Sequence, residues 1–140
     1  MTLVVDTAPV VALADSSDPL RDAILAVLVA EDGPLIIPAP ATAEIDHLLG
    51  RRLGPAARWA FLADLAAGRF DVACLDSTDY ATVLELERQY ADLDLGLVDC
   101  ALIAVAARAR THRLLTLDER HFRAVTPLDG GTFVLLPADG

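Results

Sequence analysis

Short apolar runs alternate along the chain with longer stretches whose apolar positions recur at helical spacing. This alternation predicts an α/β protein built on a short, mainly parallel sheet. Leu3 to Val5 reads as the first strand, and residues 8–14 and 20–30 as helices, the second opened by Pro19. Leu35 to Ile37 is a short strand stopped by Pro38 and Pro40. Residues 41–53 and 56–67 predict a helical hairpin, punctuated by Gly54-Pro55 and closed at Gly68. Phe70 to Leu75 reads as a third strand, and Ser77 as the cap of a helix over 78–91. A helix over 99–110, a strand from Leu114 to Leu117, a short helix over 119–125 and an edge strand from Thr132 to Leu136 complete the series.

Two helices carry more than their existence. Residues 100–107 read CALIAVAA, apolar all round, which predicts a central buried helix. In the second helix of the hairpin, Leu62, Leu65 and Ala66 form a stripe continued by Trp59, with Phe61 on another side. An apolar residue off the stripe marks either a partner surface, with a homodimer through residues 41–67, or a tighter pack within the chain.

The 140 residues are the size of one domain, expected to span 1–140, and an apolar content of 54% supports a core and excludes disorder. There are 21 acidic and 11 basic residues, a net charge of −10, and every basic residue is Arg. That balance argues against a broad basic nucleic-acid-binding face. The absence of Lys excludes Schiff-base chemistry, a phosphate-binding P-loop and a phosphorylated receiver domain. Asp6 interrupts the first apolar stretch and no basic residues precede it, so a secretory signal is not expected; with no membrane span either, the expected location is the cytoplasm. Cys74 and Cys100 lack any metal-ligand spacing and read as small core residues in a reducing compartment.

The candidate chemistry lies in the carboxylates. Asp6 follows the first strand, Glu44 lies on the helix after the second, Asp99 opens the apolar helix, and Asp118 follows the fourth strand. In a parallel sheet all four fall at the carboxyl edge, where such folds bind ligands. Asp6 and Asp118 each suit a simple helix cap, but Asp99 heads the most apolar helix, where a carboxylate needs a partner or a metal. With no Lys available, a cation is the natural counter-charge, and hard oxygen ligands suit Mg²⁺, with Mn²⁺ as a substitute. Metal-assisted phosphodiester hydrolysis by an activated water is the reaction class this pattern points to.

The remaining charged residues are less specific. Arg108, Arg110, Arg113, Arg120 and Arg123 cluster near Asp118, and Arg108, Arg113 and Arg120 are candidates to grip substrate phosphates, unless the group is only a solvated helix end. Residues 76–99 carry seven acids against Arg88 alone. Asp92 and Asp94 read as a solvated turn rather than an outer shell of the site. His47, three residues after Glu44, reads as a surface or interface histidine, His112 as exposed, and His121 as packing its helix.

The stretches VVDTAPVVAL (4–13), PATAEIDHLL (40–49), LGLVDCALIAVAAR (95–108) and LLTLDERHFRAVTP (114–127) resemble the PIN-domain family, and within it the VapC-type ribonuclease toxins of toxin–antitoxin pairs. The most specific features are an Asp opening an apolar helix, and a T-x-D after a strand followed by His-Phe. The resemblance implies a three-layer α/β/α fold, Mg²⁺-dependent hydrolysis of RNA leaving a 5′-phosphate, and an antitoxin partner that lays a segment along the cleft. It assigns catalytic and metal-binding roles to Asp6, Glu44, Asp99 and Asp118, with Thr7 and Thr116 as accompanying hydroxyls. The family often has Ser two places after the first Asp, where this chain has Ala8.

Other acidic α/β sites fit poorly. A phosphatase of the haloacid-dehalogenase type needs D-x-D after the first strand, and nucleotide-binding loops need glycine motifs absent here. Two rivals remain: an inactive PIN-like module that serves as a scaffold, and a DNA-directed nuclease of the same fold.

Overall fold

The computed structural model describes residues 1–140. Alternate side chains of each strand point to opposite faces, and these faces divide the core in two. Strands β1 (Leu3–Val5), β2 (Leu35–Pro38), β3 (Asp71–Ala73), β4 (Arg113–Leu115) and β5 (Val134–Leu136) form one sheet in the order β3-β2-β1-β4-β5. All neighbouring strands are parallel. Leu3, Val5, Ile37, Leu115 and Leu136 face one side, where they meet α1 (Thr7–Ala14), α2 (Arg21–Ala30), α3 (Ala39–Leu53) and α4 (Pro55–Ala66). Val4, Leu114 and Leu135 face the other, against α5 (Ser77–Gln89), α6 (Leu97–Arg108) and α7 (Glu119–Ala124). The result is the three-layer α/β/α architecture expected from the sequence.

The apolar helix is central as expected: every residue of α6 from Cys100 to Ala106 is buried. Its start differs by two residues. Gly96, extended at φ −101°, is the N-cap, so Asp99 lies at the third helical position and does not open the helix. Likewise Asp76, not Ser77, caps α5; its carboxylate accepts from the Asp79 N–H at 2.9 Å while Asp79 accepts from the Asp76 N–H at 3.0 Å. Pro40, read as a strand stop, falls in the first turn of α3, where its missing N–H is tolerated.

The structure selects between the two readings of Phe61 and corrects the expected places of Trp59, Leu62 and Cys74. Phe61 is 4% exposed and packs against Phe70 with ring centroids 6.5 Å apart, so it is a core residue rather than a partner surface. Trp59 and Leu62 lie on the outside at 63% and 43% exposure. Of the expected stripe, Trp59 and Leu62 thus face outward, while Leu65 packs with Ala57 and Phe61 against the core that α4 shares with α3. Cys74 is exposed after the edge strand β3, whereas Cys100 is buried. Burial and the nearby Glu87 carboxylate push the Cys100 thiol up to about 12, which keeps it protonated and inert. No helix is long and apolar enough to cross a membrane.

The placing of Phe61 inside and Trp59 outside is testable by chemical denaturation. Phe61→Ala is expected to lower stability by about 3–5 kcal/mol, and Trp59→Ala by less than about 1 kcal/mol. Equal losses would mean that the helix face is wrongly assigned.

Candidate metal centre

In this sheet the direction of strand succession reverses between β1 and β4, which opens a crevice beyond their carboxyl ends. The two strands align Val5 with Leu115, so Asp6 and Thr116 are the next residues out on either side of the crevice. The Asp6 N–H donates to the Leu115 carbonyl at 2.9 Å, extending the ladder by one rung. Thr116 Oγ1 then donates to Asp6 Oδ2 at 2.8 Å, and the Thr7 N–H to Asp6 Oδ1 at 2.7 Å. Asp6 is therefore the N-cap of α1 and a wall of the crevice at once.

The other acids arrive from separate helices. Asp99 projects from the first turn of α6 and accepts a long bond from the Gly96 N–H, 3.4 Å. Asp118 caps α7 through Oδ1, which accepts from the His121 N–H at 3.0 Å. Glu44 stands exposed on α3 and shares a cavity of about 360 Å³ with Asp99, Pro40, Gly96, Leu97 and Val98. Asp99 feels the charges of both Glu44 and Asp118, and Asp6 those of Asp99 and Glu44, so all four carboxylates lie in one local field.

That field is unfavourable without a counter-ion. Burial pushes the Asp6 carboxyl up from 3.8 to about 6, and the neighbouring acids add to the rise against the two hydrogen bonds. Burial also raises Asp99, helped by Asp118 and Glu44. Thr7 Oγ1, beside Asp6, is a buried side-chain oxygen with no hydrogen-bond partner. Two carboxylates that resist ionising, Asp6 and Asp99, next to an orphaned hydroxyl, fit a divalent cation. The donor atoms of Asp99, Asp118 and His121 also lie within 4.8 Å of one another.

His121 is the residue that sequence reasoning misplaced. Instead of packing its helix, its ring points into the acids, with Nδ1 2.7 Å from Asp118 Oδ2 and 3.6 Å from Asp99 Oδ2. The available signal was its spacing: three residues after the N-cap, a side chain folds back over the cap.

The arginines divide differently. Arg108 ends α6, nine residues and about 13 Å along the helix axis from Asp99, so it stands away from the crevice acids. There it donates to the Cys74 carbonyl at 2.9 Å and to Asp79 at 2.6 Å. Arg113 opens β4, at the amino edge of the sheet, and pairs with Glu31. Burial alone would raise the Glu31 carboxyl, but Arg113 and the Gly33 N–H hold it below its ordinary value. Of the three candidate arginines, only Arg120 stays on the crevice side, exposed on α7. Asp92 and Asp94 are exposed in the turn before α6, Asp94 in a left-handed conformation at φ 53°. His112 is partly exposed and bonded to Asp129 at 2.8 Å, and His47 is exposed on α3.

A family model described as PIN domain matches residues 3–126, and the chain belongs to that family. The chain is 31% identical over 135 residues to Ribonuclease VapC26 of Mycobacterium tuberculosis, covering 96% of this chain and 100% of the relative. Within the PIN-domain family it is thus of the VapC type. Its fold matches that of Mycobacterium tuberculosis VapC20, a Sarcin-Ricin loop cleaving toxin, with a TM-score of 0.78 at 19% identity over 84% of this chain and 91% of that one. VapBC2 from Rickettsia felis, solved on a DNA fragment from the promoter, gives a TM-score of 0.69 at 15% identity over 96% and 97% of the two chains. A toxin–antitoxin complex from Klebsiella pneumoniae gives 0.68 at 19% identity over 89% and 97%.

The raised Asp6 has a stability signature. Between about 3.8 and 6 the folded chain holds a proton that the unfolded chain has released, so stability falls as pH rises through that window. In EDTA, Asp6→Asn is expected to be more stable than the parent well above pH 6, by about 3 kcal/mol, with the gain fading towards pH 4. Melting curves at the two ends of the window check this; a destabilised Asn variant at pH 8 would contradict the assignment.

Proposed function

We propose that the chain is a divalent-metal-dependent endoribonuclease, the toxin of a type II toxin–antitoxin pair, with residues 1–140 acting as one domain in the cytoplasm. The observation that carries this reading is the meeting of Asp6, Glu44, Asp99 and Asp118, from four separate elements, at the sheet's switch point. The ribonuclease name of the relative and the toxin–antitoxin complexes among the structural neighbours support it.

Asp6, Asp99, Asp118 and Glu44 would hold the cation, Mg²⁺ or Mn²⁺, with Thr7 and Thr116 beside them. Bound there, it supplies a Lewis acid that makes water a stronger nucleophile and neutralises charge on the phosphate. The chain's own part is positional. Thr116 and the Thr7 N–H hold both oxygens of Asp6, so this carboxylate cannot swing when a phosphate approaches. Helix α6 holds Asp99 rigidly because seven successive residues behind it are buried. Glu44, exposed at the mouth, is placed to orient the incoming water on the solvent side. Arg120 is the remaining arginine positioned to hold an adjacent phosphate, by a bidentate contact.

Cleavage of defined RNAs and matched DNAs, with Mg²⁺ or Mn²⁺ and with EDTA, tests the reaction. The expected result is RNA cleavage that stops in EDTA and falls at least about 100-fold in Asp99→Asn. Activity surviving both would refute the mechanism, and cleavage confined to DNA would redirect the substrate.

The chain also self-associates in this reading, through the outward side of the hairpin α3–α4, where Trp59 and Leu62 are exposed. Sedimentation of Trp59→Glu is expected to show a shift from dimer towards monomer with the fold intact. An antitoxin is the expected partner, recoverable as the co-purifying product of a neighbouring gene.

A further inference from the structure

We propose that His121 is a metal ligand, so that the centre carries a nitrogen donor beside its carboxylates and holds Co²⁺ and Zn²⁺ more tightly than Mg²⁺. This deepens the nuclease reading by naming a further donor of its cation site, and it rests on the acid cluster being a cation site, not on the substrate being RNA.

The geometry carries the argument. Two donors bound to one ion at about 2.1 Å stand roughly 3–3.5 Å apart. The His121 Nδ1 lies 2.7 Å from Asp118 Oδ2 and 3.6 Å from Asp99 Oδ2, so small adjustments bring all three to one ion. Asp118 divides its oxygens to suit: Oδ1 is committed to the His121 N–H, and Oδ2 faces the ring. A histidine serving only as a cap partner would need Asp118 alone, yet this ring nitrogen also faces an acid from a different helix. The ring is held in place by its neighbour. Phe122 is 1% exposed and packs edge-on against Phe133 at 6.3 Å, which fixes α7 and with it the direction of His121. The side chain keeps 22% exposure, enough for an ion to reach it.

Ligand chemistry sets the preference. Carboxylate-only sites suit Mg²⁺, which binds imidazole weakly, whereas imidazole suits the later transition ions and zinc. Substituting His121 should therefore affect these two groups of ions unequally, and that inequality separates a ligand from a residue that merely shapes the site.

The test is metal binding by the chelator-stripped protein, without RNA. Co²⁺ is followed by its visible absorption, and Zn²⁺ and Mg²⁺ by calorimetry, for the parent and His121→Ala. Co²⁺ and Zn²⁺ affinities are expected to fall roughly 10–100-fold, and Mg²⁺ affinity by less than about threefold. An unchanged Co²⁺ affinity, or equal losses for all three ions, would overturn the proposal. The parent protein gives an independent reading that needs no variant: on adding Zn²⁺, the ring nitrogens of His121 should shift strongly in the NMR spectrum while those of His47 and His112 stay put. A still His121 would also overturn it. A protein that binds Co²⁺ through His121 but leaves RNA intact would uphold this inference and refute the nuclease reading alone.

Discussion

Asp6 is a carboxylate taken almost entirely out of water, and the site is arranged around the difficulty of keeping it there. Its oxygens are met by the Thr116 hydroxyl and the Thr7 N–H, the first from β4's end and the second from α1's first turn. Those bonds do not fully compensate the burial, and Asp99 and Glu44 make the field worse. A folded chain normally avoids such a concentration of like charge. Its survival here, with Thr7 Oγ1 left unpaired beside it, is the physical reason to read the crevice as a cation site.

The same constraint explains the rigid framing of the crevice. Asp6 caps α1, Asp118 caps α7, and Asp99 sits in the first turn of α6, so each carboxylate also lies at the positive end of a helix. These dipoles stabilise the acids one by one, while convergence opposes them collectively. The balance leaves a centre whose carboxylates are fixed in place but short of positive charge. His121 is the nearest partial answer within the chain, and it reaches two of the four acids.

Taken alone, a net charge of −10 argues against a nucleic-acid partner. The structure redistributes it. Arg108 and Arg113 are consumed by Asp79 and Glu31 away from the crevice acids, and Arg58 by a bidentate bond to Asp46. Little free positive charge is left near the crevice beyond Arg120. A phosphate there depends on the bound cation for attraction, so long-range steering contributes little and binding is local.

Much of this was legible in the chain itself. The strands, the buried α6 and the sheet-edge position of Asp6, Glu44, Asp99 and Asp118 follow from local periodicity and from what ends a strand or starts a helix. Those are short-range properties, and the residues that express them are neighbours in sequence. What stayed hidden depends on orientation. Arg108 and Arg113 are close to Asp118 in sequence, but α6 carries Arg108 about 13 Å from Asp99, and Arg113 begins β4 at the opposite end of the strand from Asp118. Phe61 lies inside and Trp59 outside because only the docking of α4 on α3 decides which side of that helix is buried. His121 looked like a packing residue until α6 and α7 were brought together, because its second carboxylate, Asp99, comes from another element. Sequence alone determined which residues stand at the carboxyl edge of the sheet. The tertiary structure decided which of them share one field, because charges act through space and the chain brings distant segments within a few ångströms of one another.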